Sequence, residues 1–287
     1  MTRGSRFRNF AIGSPMVWIA VFVVVPYLIV VLFSFLTRNP EVIVTWTLTM
    51  ENYRELFSPV FLKVCMNSLV LALGTTVLTL LLAYPFAFIL TRIDENIRRF
   101  LLVLMIIPFW TSSLIRTYAL IILFKANGLL NTFLLSMGLI SEPLSILYTE
   151  TAVFIGLVYT LLPFMILPLY ASLLKLDRRL MEAARDLGAT SRHVFFHIVL
   201  PLTLPGIIAG STMVFLPALG LFYIPDLLGG ARSMLIGNFI KNQFLTTGNW
   251  PLGSAASVML TLLMVMLLIW FFISTRRAHS GDMEAVR

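Results

Sequence analysis

Few residues in this chain have the type and spacing to do chemistry, and most candidates fall away on inspection. His193 and His197 stand four apart, a spacing that lets one helix face hold a metal ion. No nearby acid sits at ligand spacing and no H-E-x-x-H occurs, so they read as loop histidines and no metal site is expected. No G-x-x-x-x-G-K-[ST] is present, so any nucleotide hydrolysis belongs to a partner. Serines are plentiful, but no nucleophile motif accompanies them and no histidine falls within a long apolar run, which removes hydrolase and intramembrane-protease readings. Cys65 is the only cysteine, so there is neither an intrachain disulfide nor a thiolate metal site. No catalytic residue and no cofactor are expected.

Ionisable and aromatic residues inside the apolar runs carry more information, because a charge in hydrocarbon is costly unless paired or wet. Arg116 lies two-thirds of the way along such a run. It can line a pathway, pair with an acid such as Glu150 or Asp226, or snorkel to the surface. With a cationic solute, a structural or gating charge is the favoured role. Asp226 follows another run in LFYIPDLLGG, where Pro225 and Gly229-Gly230 disfavour a regular helix. Its carboxylate is expected to face water or a cavity, the plain alternative being a loop aspartate that caps a turn. Phe222 and Tyr223 precede it, and an acid beside aromatic faces makes a cation site. Trp110 and Tyr159 also lie within runs and can serve similarly, although such aromatics are more often packing or belt residues.

The elements that must position these residues are membrane helices. The chain has 287 residues, 59% hydrophobic and only 12% charged, against about 25% charged in soluble domains. Lipid must therefore serve as part of the solvent. Six runs are long enough for a bilayer core, at about 15–36, 67–90, 100–124, 150–174, 202–223 and 252–274. The first is too long for a signal peptide and no A-x-A-like site follows it, so it reads as a retained span. Pro108, Pro163, Pro168 and Pro217 fall within spans, where prolines loosen helices and mark moving or cavity-lining segments. Between the spans, ENYRELF reads as a short surface helix and 129–135 as an amphipathic turn.

Charge sets the expected orientation. Residues 1–14, the 91–99 link, the loop after the fourth span and the 275–287 tail carry 3, 3, 5 and 3 Lys and Arg, while the other loops carry 3, 1 and 2. Basic residues accumulate on the cytoplasmic face. Both termini and the loop after the fourth span are thus expected in the cytoplasm. The net charge of +8 is split into these short anchoring clusters, which argues against a nucleic-acid partner.

The loop after the fourth span, 175–201, is the longest polar-rich segment. Leu173, Leu176, Leu180, Ala184 and Leu187 recur at helical spacing among Arg178, Arg179, Glu182, Arg185 and Asp186. Gly188 can stop this helix in a left-handed conformation. Thr190 or Ser191 can cap a second helix, and Pro201 suits the first turn of the next span. Glu182-Ala183-Ala184, then Gly188, Ile198 and Leu200-Pro201, resemble the EAA loop of ABC-importer permeases, which docks coupling helices into a cleft on a cytoplasmic ATPase. The plain alternative is a hairpin lying on lipid.

The resemblance extends along the chain. IPFWTSSLIRTYA, NGLLN and FYIPDLLGG…MLIGNFIKNQF are similar to the first permease subunit of bacterial spermidine/putrescine importers. It implies an all-α inner-membrane protein with the six-helix type I ABC-importer permease fold. It also implies a second related permease, two copies of an ATPase that holds ATP and magnesium, and a periplasmic polyamine-binding protein. On this reading Glu182, Ala183, Ala184, Gly188, Ile198 and Pro201 transmit force, while Asp226 and Tyr223 help receive the polycation. Similar layouts serve iron, sulfate, thiamine and phosphonate importers. An ion-coupled secondary transporter would need a buried acid cluster that this sequence does not offer, and a scaffold without transport gives no reason for the span prolines.

Overall fold

The computed structural model describes residues 3–39, 44–230 and 234–284. Backbone N–H and C=O groups in hydrocarbon must be satisfied within the segment, so the long apolar runs become helices. Among the described residues six stretches are long and apolar enough to cross a membrane: Ala11–Ser34, Pro59–Leu90, Ser113–Ser136, Glu150–Leu174, Ser191–Gly220 and Trp250–Ile273. Their apolar side chains are largely on the outside; none of the first stretch's apolar window is buried.

The first stretch comprises α1 (Arg3–Ile19), a π turn (Ala20–Val24) and α2 (Val25–Ser34). The Val25 N–H reaches back five residues to the Ala20 carbonyl, and Pro26 follows. The same arrangement recurs later: α10 (Ser191–Val194) passes through a π turn (Phe195–Val199) into α11 (Leu200–Gly220), with the Leu200 N–H on the Phe195 carbonyl ahead of Pro201. A proline ring crowds the carbonyl four residues back and offers it no N–H, and a widened turn relieves both.

Two compact units describe the chain. One contains Met1–Val64 and Phe239–Val265. Here strands β1 (Leu36–Arg38) and β2 (Val44–Leu48) form an antiparallel pair within the otherwise helical fold, followed by α3 (Glu51–Leu56). Buried Asn52 ties these pieces together, its Nδ2 donating to the Ser34 and Leu36 carbonyls at 3.0 and 2.9 Å. Arg38 donates to the Thr247 carbonyl at 2.9 Å. Aromatic pairs Phe35–Tyr53, Phe61–Phe239 and Phe244–Trp250 fill the spaces between.

The second unit contains Cys65–Asn238 and Met266–Arg287. After α4 (Pro59–Leu90) comes α5 (Glu95–Ile106), a 3₁₀ turn (Ile107–Trp110) and α6 (Ser113–Phe124). The helix expected over 100–124 is therefore broken. Thr111 and Ser112 are extended, with ψ of 146° and 134°. Pro108 removes one backbone donor, and the Thr111 hydroxyl takes the Pro108 carbonyl at 2.8 Å. Then follow α7 (Leu129–Ser136), α8 (Glu150–Leu174), α9 (Arg178–Asp186), α10, α11 and a π turn (Pro225–Gly229), while α12 (Ile236–Leu245) and α13 (Trp250–Glu284) each have residues in both units. The core gathers Leu71, Phe124, Val153, Leu157, Ile224 and Leu228.

In this unit α8 packs against α11. Gly206 and Gly210, in GIIAG, allow it: a Cβ on Gly206 would lie 2.4 Å from Ser172 Cβ and 2.9 Å from the Pro168 carbonyl. On Gly210 it would lie 2.7 Å from Met165 Sδ. Small residues four apart let two membrane helices touch backbone to backbone.

Candidate functional site

The loop between α8 and α11 is built from its caps. Asp177 starts α9, its Oδ1 accepting the Arg179 N–H at 3.0 Å. At the other end Gly188 has φ of +85°. Its N–H reaches the Arg185 carbonyl at 2.8 Å, and the Ala189 N–H reaches the Ala184 carbonyl at 3.0 Å. These two bonds form a Schellman end, which satisfies the last carbonyls and turns the chain sharply. Thr190 then caps α10 by accepting the His193 N–H. Of the two caps expected at this point, the threonine is used.

Glu182 and Ala183 on α9 are exposed, Ala184 is half-buried, and Leu187 is 89% exposed. Beyond Thr190, Val194 and Val199 are buried and Ile198 is half-buried, while Pro201 is exposed within the continuous helical stretch Ser191–Gly220. No non-helical link separates the second loop helix from the fifth span. Tyr84, on α4, fixes this base: its hydroxyl lies 2.9 Å from Thr203 Oγ1 and its ring meets Phe195 edge-on at 5.6 Å. The His193 and His197 rings stack at 3.9 Å, with His197 Nδ1 3.1 Å from the His193 carbonyl, so their nitrogens do not converge on one point.

All but one of the expected pathway residues fall into two groups. Arg116 and Tyr159 come together. The guanidinium carbon sits 5.5 Å from the Phe109 ring centre and 6.0 Å from that of Tyr159, and Phe109 meets Phe164 edge-on. Arg116 Nε is buried with no hydrogen-bond partner. Among the described residues the arginine forms no ion pair, so pairing with Glu150 or Asp226 is corrected: two aromatic faces hold the cation instead. The helix break at Thr111–Ser112 sets Phe109 beside it.

Phe222, Tyr223 and Asp226 form the other group, at the end of α11. Phe222 and Tyr223 meet edge to face at 6.2 Å. Asp226 Oδ1 accepts the Asn238 Nδ2 at 2.7 Å, and the same amide donates to the Phe222 carbonyl at 3.0 Å. Asn238 is buried, so Asp226 is clamped into the turn by a residue of α12. Trp110 belongs to neither group and is 83% exposed.

Residues 76–280, which include α8, the capped loop and α11, match the family of binding-protein-dependent transport system inner membrane components. The chain belongs to that family. This permease is 49% identical over 268 residues to the spermidine/putrescine transport system permease protein PotB of Haemophilus influenzae, covering 93% of this chain and 94% of that one. It is 49% identical over 259 residues to PotB of Escherichia coli, covering 90% and 94%. Its fold matches a chain of a bacterial alginate ABC transporter, crystallised with its pentasaccharide-bound periplasmic protein, at a TM-score of 0.77 and 15% identity over 96% and 97% of the two chains. The fold is thus that of an ABC-importer permease, and the protein is an integral inner-membrane permease with six apolar helices.

Three features of the permease were not singled out in its sequence. GIIAG had a readable signal, two glycines four apart in a span. Phe109 and Asn238 had none, because their roles depend on a helix break and on a contact twelve residues away.

Proposed function

We propose that this chain is a permease subunit of an ATP-driven importer that carries spermidine and putrescine from periplasm to cytoplasm. The observation that carries it is identity of 48–49% to spermidine/putrescine permeases over at least 90% of the chain. Both termini and the 175–201 loop face the cytoplasm, as the placement of Lys and Arg supports. A second related permease completes the pathway, two copies of an ATPase bind beneath, and a periplasmic polyamine-binding protein docks above. ATP and magnesium belong to the ATPase.

The exposed face of α9, with Glu182, Ala183 and Leu187, enters the ATPase cleft. The α10–α11 stretch and Pro201 carry movement of that cleft into the fifth span, while Gly188 keeps the two loop helices at a fixed turn. Because α8 and α11 touch through Gly206 and Gly210, both arms of the loop move as one body. Asp226, Tyr223, Phe222, Trp110 and Tyr159 offer an acid and aromatic faces to ammonium groups. Arg116, resting on Tyr159, is the gating or structural charge.

The test is ATP hydrolysis by the reconstituted complex in lipid, with binding protein, as spermidine is added. Stimulation by spermidine that Glu182→Lys abolishes is the expected result. Stimulation by a different solute and binding protein overturns the cargo, and failure to recruit an ATPase overturns the importer.

A further inference from the structure

A cavity of about 220 Å³ opens where α4, α8 and the chain before α12 meet. Asn67 and Leu71 line it from α4, at i and i+4, and Glu150, Val153 and Phe154 line it from α8, at i, i+3 and i+4. Such spacings put each set on one helix face. Leu235 closes the third side. Leu71, Val153 and Leu235 belong to the buried core, so the floor is apolar, while Asn67 and Glu150 stand exposed at the mouth.

Glu150 differs from the acid expected to receive substrate. Asp226 Oδ1 is taken up by the Asn238 amide. The Glu150 carboxylate forms no hydrogen bond or ion pair with any described residue. Its position is nonetheless fixed. Tyr148, two residues earlier, has φ of +65°, a conformation that costs free energy in a non-glycine residue and persists where surroundings enforce it. The enforcing contacts are present: the Tyr148 N–H donates to the Leu228 carbonyl at 2.8 Å, and its ring packs on Gly230. Thr149 caps α8 by accepting the Ala152 N–H. Glu150 therefore occupies the first helical position, where the helix dipole favours an anion.

We propose that this cavity is a cation subsite of the import pathway, taking one ammonium group of a polyamine with its alkyl stem; the proposal rests on the cargo reading above. Glu150 binds the charge, the Asn67 amide oxygen accepts a second N–H, and Phe154 with the apolar floor takes the methylenes. A bare divalent ion would need several oxygen ligands, and one carboxylate with one amide does not supply them. An alkylammonium needs one acid, one acceptor and an apolar wall, which is the set present.

The experiment uses the assembled importer in proteoliposomes with its binding protein. Initial uptake of labelled spermidine and putrescine is measured for wild type, Glu150→Gln and Glu150→Asp, after size-exclusion chromatography confirms intact complexes. The expected result is a rise in spermidine KM of roughly tenfold in Glu150→Gln, reduced in Glu150→Asp. An unchanged KM in Glu150→Gln, or a loss confined to maximal rate, overturns the subsite. In a second measurement Val70→Cys, on the cavity wall and leaving Glu150 in place, is made together with Cys65→Ser, and modification by a cationic methanethiosulfonate is timed. Protection by spermidine is expected; equal rates with and without it overturn the proposal. If wild type imports no polyamine, the cargo reading itself fails, an outcome distinct from a polyamine importer indifferent to Glu150.

Discussion

Adding one methyl group at Gly206 should separate the two helices that flank the 175–201 loop. The new Cβ would sit 2.4 Å from Ser172 Cβ and 2.9 Å from the Pro168 carbonyl. Carbon atoms rest at about 3.5 Å or more, so α11 must retreat by about 1 Å, and a gap of that size forfeits up to half of each contact's attraction. Neither obstacle is the far end of a flexible chain, so rotation cannot relieve the clash. Overpacking of this kind costs about 1–3 kcal/mol. Gly206→Ala should lower the unfolding midpoint of the complex in lipid nanodiscs, and on the proposed coupling role of the loop uptake per ATP hydrolysed should fall as well. Gly210→Ala is the internal control. Its nearest obstacle is the flexible Met165 Sδ at 2.7 Å, so it should be milder. A Gly206→Ala complex with wild-type midpoint and wild-type coupling, or one milder than Gly210→Ala, would refute the account.

Three further perturbations test other parts of the reasoning. Gly188→Val, at φ of +85° with open space around it, should cost roughly 1–2 kcal/mol through backbone strain alone, and uptake should drop while membrane insertion measured by protease protection is unchanged. Arg116→Ala should destabilise the complex by about 0.5–2 kcal/mol if the Phe109 and Tyr159 faces hold the guanidinium; Arg116→Lys should recover only part of this, because an ammonium lacks the planar group that stacks. Tyr84→Phe removes the hydroxyl facing Thr203 and should cost roughly 0.5–1 kcal/mol, the scale of interhelical hydrogen bonds in membranes, read as a small shift in thermal midpoint.

What the sequence made legible follows from locality. Hydrophobic runs report helices because the membrane forces each segment to satisfy its own backbone, and the caps at Thr190 and Gly188 report ends because capping residues act on neighbours. The hairpin at Leu36–Leu48 hid in a short polar segment, although VTWTL has the β-branched and aromatic character of a strand. The break inside 100–124 was hidden by continuous apolarity: Pro108 was visible, yet whether a proline kinks or ends a span depends on what surrounds it. Pro163 and Pro168 sit inside an unbroken α8. The Asp226–Asn238 clamp and the rings around Arg116 join distant segments and leave no periodic trace.

The unbroken passage from α10 into α11 has a mechanical consequence. Ser191–Gly220 is a rod with its tight bearing near Ile208, between the two glycines that touch α8. At 1.5 Å per residue, Ser191 lies about 26 Å from that bearing on one side and Gly220 about 18 Å on the other. Any rocking about it reappears at Gly220 reversed in direction and scaled to roughly seven-tenths. Gly220 leads within six residues to Asp226, so a sideways push on the loop would be delivered, as a smaller counter-swing, to the turn that follows Phe222 and Tyr223.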